Sequence, residues 1–222
     1  MTTLSNFLGE IANQTSPEKL EGAIVLVSLE RTLDELIQKA LALGPYHRGT
    51  ASPWSHTFLL TQPYSGPGTQ ICECSIRNNN NEIIWDGDPA GDPLNIVLAQ
   101  HVESGICVGT VADYDDDRVI NKGVKFLPDI SGVQRKALSA SALAMQNGQI
   151  KYDLPGLFRE AIRLTIGIRL PPSPHLLFCS AFVQKIYRQV LGADGDFVPT
   201  LADEDTTPDD LWYPVKGTKF QA

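Results

Sequence analysis

The stretch HLLFCSAFVQKIY, residues 175–187, contains one cysteine among apolar side chains that recur at helical spacing. Prolines at positions 171, 172 and 174 prevent a helix from extending far upstream. The pattern therefore predicts an amphipathic helix over residues 177–191 with Cys179 in its first turns. A helix N-terminus presents unpaired backbone N–H groups and the positive end of the helix dipole, which favour the nucleophilic thiolate. The alternative interpretation of Cys179 is a small, buried core residue.

A cysteine nucleophile needs a general base. His56 is the candidate, because the sequence predicts the strand on which it lies and therefore the face to which its side chain belongs. It lies in the run WSHTFLL, residues 54–60, which alternates as a β-strand with His56 and every second residue after it on one face. His175 is a competing base because it lies four residues before Cys179, although the neighbouring prolines interrupt a continuous helix between them. The histidines of the chain are His47, His56, His101 and His175.

A third group is needed to orient the imidazole, and Glu73 is the candidate. It belongs to the run QICECSI, residues 70–76, which is predicted to be the next strand, with Cys72 and Cys74 on one face and Glu73 on the other. If the two strands pair as a hairpin, the Glu73 carboxylate can accept the second N–H of His56. A solvent-facing position on the strand is the alternative interpretation of Glu73.

The length and composition indicate a single folded domain that does not bind nucleic acid. The chain has 222 residues, of which 42% are hydrophobic, and this is enough to bury a core. Its 18 Lys and Arg against 26 Asp and Glu give a formal net charge of -8, the wrong sign for neutralising phosphates. Residues 1–19 are predicted to be an N-terminal appendage, and residues 20–222 a single catalytic domain.

The order of the predicted elements is typical of an α+β fold. An antiparallel meander of strands is expected in the first half of the chain and mainly helices in the second half. The predicted strands are residues 22–28, 54–60, 70–76, 82–85, 94–99 and 105–111. The predicted helices are residues 5–12, 32–41, 131–146, 154–165 and 177–191.

The order of these motifs resembles that of the permuted papain-like amidases of the NlpC superfamily. In that family the histidine strand precedes the cysteine helix, which reverses the order found in papain. The resemblance spans residues 20–212 and implies an antiparallel sheet packed against helices, with the nucleophile at a helix N-terminus. It is carried by GAIVLV at residues 22–27, WSHTF at 54–58, ICEC at 71–74, FCSAFV at 178–183 and TTPDDLW at 206–212.

The resemblance implies a catalytic triad with Cys179 as nucleophile, His56 as general base and Glu73 as the residue that orients the imidazole. The backbone N–H of Cys179 would be one oxyanion donor. The chain departs from the family at Ala181, where many relatives have an acidic residue. Residues 85–129 match no motif of the family, so the resemblance does not imply which residues line the substrate pocket.

The resulting expectation is a cysteine hydrolase that cleaves an amide bond through an acyl-enzyme and needs no cofactor. The expected substrate is a peptide, an amino-acid amide or a peptidoglycan peptide. One alternative is an exported antibacterial effector that degrades cell-wall peptides and has an immunity protein as partner. A second is a lipid acyl hydrolase or thioesterase, and a third is a non-catalytic binding module of the same fold.

The sequence shows neither a signal peptide nor a long apolar run, so a cytoplasmic location or export by a leaderless route is expected, without integral membrane association. No metal is expected either. The acidic run at residues 113–117 lacks the glycine and distal glutamate of an EF-hand, which predicts a solvated turn. A C-x-C spacing on one strand is not that of zinc knuckles. The zinc ligands considered are Cys72, Cys74, Cys107 and His101.

Overall fold

The computed structural model describes residues 2–47, 49–88, 102–147, 150–152 and 176–222. These residues form an α+β fold with a six-stranded antiparallel sheet and several helices, as the order of the predicted elements indicates. The strand predicted at 94–99 and the helix predicted at 154–165 lie outside the described residues, and so do His101 and His175.

The described strands are β1 (Ile24–Leu29), β2 (His56–Leu60), β3 (Gln70–Asn78), β4 (Val102–Thr110), β5 (Val119–Phe126), β6 (Lys151–Tyr152), β7 (Leu176–Leu177) and β8 (Thr218–Gln221). The main sheet has the order β4-β3-β2-β1-β5-β8, and each pair of neighbours is antiparallel. Strands β1 to β4 therefore form the predicted meander. Strands β6 and β7 form a separate parallel pair.

The described α-helices are α1 (Leu4–Gln14), α2 (Thr32–Leu41), α3 (Gly132–Ala144), α4 (Cys179–Leu191) and α5 (Pro208–Trp212). Helix α2 has the bounds that its apolar spacing predicts, and it buries Ile37 and Leu41. Ser131 caps α3 by accepting a hydrogen bond from Gln134 N, whose side chain accepts in return from the Ser131 N–H.

The main sheet buries apolar side chains on both faces. One face, here called the α4 face, packs against α3, α4 and α5 and carries Cys72 and Cys74. The opposite face, called the α1 face, carries Phe58 and Ile71 and is covered by α1. The alternation predicted for β2 and β3 is therefore confirmed, because neighbouring residues of each strand lie in different clusters.

Helix α1 is a packed part of this fold, although residues 1–19 were expected to be an appendage. Leu4, Leu8 and Ile11 are at most 1% exposed and belong to the cluster of the α1 face. Ser5 ties the helix to the chain after β4, since its backbone N–H and hydroxyl both donate to the Asp115 carboxylate. The segment thus contributes to the core, while a domain boundary at residue 20 stays a prediction.

Leu8→Ala is expected to lower the free energy of unfolding by about 3 kcal/mol, because it leaves a cavity under α1. Leu8 is fully buried, whereas Leu36 on α2 is 56% exposed. Leu36→Ala is the matched control and should cost less than about 0.5 kcal/mol. Urea unfolding measures both values. Equal costs for the two variants would show that α1 is a loosely attached appendage.

Two parts of the strand prediction are wrong. Residues 82–85 do not form a strand, since only an isolated bridge joins Ile83 to Arg77. Strands β5, β6, β7 and β8 were not predicted, although β5 pairs with β1 along six residues. The polar composition of β5 conceals it, because Lys125 is fully buried there and its Nζ donates to the carbonyl oxygens of Leu211 at 2.6 Å and Pro214 at 3.0 Å.

Among the described residues, no helix combines the length and the apolar character that crossing a membrane requires.

Candidate active site

Cys179 lies in the first turn of α4, as the sequence predicts, and it is 3% exposed. The helix begins at Cys179 itself and not at residue 177, because Leu176 and Leu177 form strand β7. The preceding residue, Phe178, has an extended backbone (φ -82°, ψ 165°), so the chain turns into the helix directly before the cysteine. The first intrahelical hydrogen bond runs from Phe182 N to Phe178 O at 2.9 Å. The N–H of Cys179 therefore precedes the first hydrogen bond of the helix and has no acceptor within the helix.

His56 begins β2 and lies beside Cys179. Its ring is buried, with 4% exposure, and the Cys179 side chain lies close enough to raise the pKa of the imidazole. The Nε2 atom lies 2.5 Å from Glu73 Oε2. Since Nε2 is engaged by the carboxylate, Nδ1 is the ring nitrogen left for the thiol. The structure thus brings together the three residues that the sequence analysis proposed as a triad.

Glu73 is fully buried, which excludes the solvent-facing alternative. Strands β2 and β3 pair as the hairpin that its predicted contact requires, with Leu59 opposite Cys72. Besides the bond with His56, its Oε1 accepts from Arg77 Nε at 2.7 Å and its Oε2 accepts from the Tyr114 hydroxyl at 2.5 Å. The carboxylate is therefore satisfied on both oxygens in a site without bulk water.

The electrostatics of the site favour a protonated imidazole. Burial alone would lower the pKa of His56, but the Cys179 thiolate and the Glu73 carboxylate outweigh it and raise the pKa to about 10. Burial alone would raise the pKa of Glu73, but the Arg77 guanidinium and the bonds from His56 and Tyr114 lower it to about 2. At neutral pH this arrangement supports a protonated His56 beside an ionised Glu73.

Sequence reasoning missed Arg77 and Tyr114. The Arg77 side chain is fully buried, and its Nη1 donates to Asp113 Oδ2 at 2.8 Å and to Asn81 O at 2.7 Å. Tyr114 is 1% exposed and ends the 3-10 turn Val111–Tyr114. The acidic run thus contains the predicted turn. Two of its residues, Asp113 and Tyr114, also form hydrogen bonds with the buried side chains of Arg77 and Glu73. The period-two alternation of β3, which places Arg77 on the face of Glu73, was the available signal.

The other cysteines on β3 lie against backbone carbonyls. Cys72 Sγ donates to Ala142 O at 3.5 Å, and Cys74 Sγ donates to Leu177 O at 3.2 Å. Burial raises the pKa of Cys72 to about 12 and that of Cys74 well above its usual value. Both thiols are therefore protonated at neutral pH. In the described part of the chain, no group of three or more His, Cys, Asp or Glu is arranged to hold a metal ion.

His47 forms a second histidine–carboxylate pair. Its Nε2 lies 2.9 Å from Asp209 Oδ2, and Ser52 Oγ donates to Asp209 Oδ1 at 2.7 Å. A cavity of about 270 Å³ lies beside it, lined in part by Tyr46 and Leu201. This pair resembles that of His56 in its burial and in its bond to a carboxylate, which makes His47 a matched control for His56.

Stability at acid pH is expected to depend on Glu73. Its pKa is lower in the folded protein than its ordinary value of 4.5, so its contribution is fully present above pH 4.5 and is lost as the pH falls through about 2. The expected loss is on the order of 3 kcal/mol. Urea unfolding between pH 5 and pH 2 measures it.

Glu73→Gln should lack this part of the pH dependence. Glu35→Gln is the control, because the Glu35 side chain is 58% exposed and pairs with Lys39 at the surface. The free energy of unfolding of Glu35→Gln should change with pH as steeply as that of the wild type. Coincident slopes for Glu73→Gln and the wild type would contradict the assigned charge of Glu73.

No family model matches this chain, and no curated protein shows a significant match to it.

Proposed function

We propose that this protein is a cysteine hydrolase with a permuted papain-like fold, and that it cleaves an amide bond in a peptide or amino-acid amide. One observation carries the proposal: Cys179 at a helix N-terminus contacts His56, whose far nitrogen lies 2.5 Å from the buried Glu73. Nucleophile, base and orienting carboxylate thus lie next to one another in that order, which supports thiol acyl transfer.

The first half-reaction forms a thioester. The Cys179 sulfur attacks the carbonyl carbon, and the C–N bond breaks as the His56 imidazolium gives its proton to the leaving amine. The oxyanion of the tetrahedral intermediate lies near the Cys179 N–H, which precedes the hydrogen-bond ladder of the helix and can donate to it. Glu73 stays ionised and stabilises His56 in the orientation that keeps Nδ1 toward sulfur.

The second half-reaction hydrolyses the thioester. His56, now neutral, takes a proton from water, whose oxygen attacks the acyl carbon. The C–S bond breaks, the carboxylic acid leaves, and the thiolate–imidazolium pair is restored. No electron is gained or lost, so the cycle requires water alone as co-reactant.

A panel of substrates tests which acyl group the proposed hydrolase accepts. Muropeptides, small peptide amides and phospholipids are incubated with wild type, Cys179→Ala and His56→Ala. Amine release by the wild type alone supports the amidase. Fatty-acid release from lipid without muropeptide cleavage would move the proposal to a lipid acyl hydrolase, and turnover that survives Cys179→Ala would overturn the nucleophile.

If the same hydrolase has an antibacterial role, its toxicity should depend on the compartment in which it is expressed. Expression directed to the periplasm should lyse bacterial cells, whereas expression in the cytoplasm should not. Cys179→Ala should abolish the lysis. Equal growth with the protein in either compartment would exclude this role and would leave the amidase proposal to the substrate panel.

A further inference from the structure

Tyr114 lies directly behind the Cys–His pair. Its hydroxyl donates to Glu73 Oε2 at 2.5 Å, and the same oxygen lies 2.5 Å from His56 Nε2. Its ring is also nearly parallel to the His56 ring, at 16° with the centroids 6.0 Å apart. One side chain thus contacts both the carboxylate and the imidazole of the proposed triad.

The two oxygens of Glu73 are held by different groups. Arg77 holds Oε1, with its Nε at 2.7 Å and its Nη2 at 2.5 Å. A carboxylate that is held at one oxygen can still rotate and move the other oxygen away from its partner. Within the described ranges, Tyr114 is the group other than His56 that contacts Oε2. Its hydroxyl can only donate there, because an ionised carboxylate has no hydrogen to give.

The turn that carries Tyr114 is itself anchored. Thr110 and Asp113 form a reciprocal capping box at the start of the turn. Asp113 also accepts from Arg77, so the turn and the guanidinium that holds Glu73 are connected. Beyond the turn, the carboxylate of Asp115 accepts from Ser5 of α1. The chain on both sides of Tyr114 is therefore anchored by three sets of contacts.

We propose that Tyr114 is a positioning residue of this site, whose hydroxyl fixes Glu73 Oε2 in the place where it accepts the N–H of His56. The catalytic consequence rests on the proposed hydrolase, whereas the effect on His56 does not. Removal of the hydroxyl frees Oε2, weakens the contact with His56 and reduces the support that the imidazolium receives from the carboxylate.

Tyr114→Phe tests the proposal, because it removes the hydroxyl and keeps the ring. Tyr187→Phe is the matched control: Tyr187 is fully buried on the α4 face, and its hydroxyl donates to Gly22 O at 2.5 Å. The readouts are the NMR titration of His56 in protein labelled with ¹⁵N-histidine and the rate of Cys179 alkylation by iodoacetamide. Thermal unfolding shows that both variants fold.

The expected result is specific to Tyr114→Phe. The titration midpoint of His56 should fall, and the alkylation rate of Cys179 at pH 7 should fall about tenfold, as for residues that orient a functional group from behind. Tyr187→Phe should change neither quantity. In the described structure, the titratable groups that contact His56 are those of Cys179, Glu73 and Tyr114, so its titration reports on them.

Three results would overturn the inference. An unchanged titration, the same change in both variants or an upward shift would show that Tyr114 only fills space or withdraws charge from the carboxylate. If Tyr114→Phe does not fold, site-specific 4-fluorophenylalanine at position 114 fills the space of the hydroxyl without its hydrogen, and an unchanged His56 titration in that protein overturns it too. A wild-type Cys179 without selective reactivity would instead contradict the hydrolase, and the His56 titration would still decide the role of Tyr114.

Discussion

Iodoacetamide is expected to alkylate Cys179 more than about 100-fold faster at pH 7 than the other three cysteines. A thiol with a pKa of about 12, such as that of Cys72, is ionised in only about one molecule in 10⁵ at this pH. Cys179 lies beside the His56 ring, whose raised pKa keeps it cationic at neutral pH, and reactive cysteines are found next to such cations. Peptide mapping after short exposure to the reagent gives the rate at each cysteine.

His56→Ala should lower the alkylation rate of Cys179 by about 100-fold, the usual scale for a positioned acid–base group. His47→Ala should leave the rate unchanged, since His47 is bonded to Asp209. This control separates the loss of the base from the loss of any buried histidine. A Cys179 that reacts no faster than the other thiols in a folded protein would favour a binding module of the same fold.

Arg77→Met should lower the free energy of unfolding by about 3 to 5 kcal/mol. Both partners of the pair are fully buried, and Arg77 also donates to Asp113. Removal of the guanidinium leaves the Glu73 carboxylate without its main counter-charge in a site that water does not reach. Urea unfolding at pH 7 measures the change.

Two further variants decide why Arg77→Met is costly. Lys39→Met removes an exposed pair with Glu35, whose side chains are 68% and 58% exposed, and should cost less than about 0.5 kcal/mol. Adding Glu73→Gln to Arg77→Met should restore part of the loss, because it removes the uncompensated charge. A double variant less stable than Arg77→Met would attribute the loss to packing instead of charge.

The part of the site that the sequence predicts depends on local periodicity. The alternation in residues 54–60 and 70–76 predicts the faces of His56 and Glu73, and a two-strand hairpin then brings them together. The helical spacing after residue 177 predicts where Cys179 lies on α4. These inferences need only one strand or one helix at a time, which is why they could be made without long-range information.

The remaining parts depend on contacts between distant segments. Tyr114 approaches Glu73 from 41 residues away, and an acidic run gives no sign that its tyrosine is buried. Strand β5 was missed because Lys122 and Lys125 interrupt its apolar pattern, and both bond to backbone carbonyls in the interior. Buried polar groups of this kind are recognisable only when their partners are known.

The two buried faces of the sheet have a consequence for how the protein matures. His56 contacts residues of the α1 face, whereas α4, which carries Cys179, packs on the other face. A slip of β2 by one residue would turn His56 to the wrong side and separate it from Glu73. The selective reactivity that we predict for Cys179 would therefore require the sheet to have formed in its native register. A nascent or misfolded chain would then carry an unreactive cysteine, and the extent of rapid Cys179 alkylation would measure the fraction of correctly folded molecules.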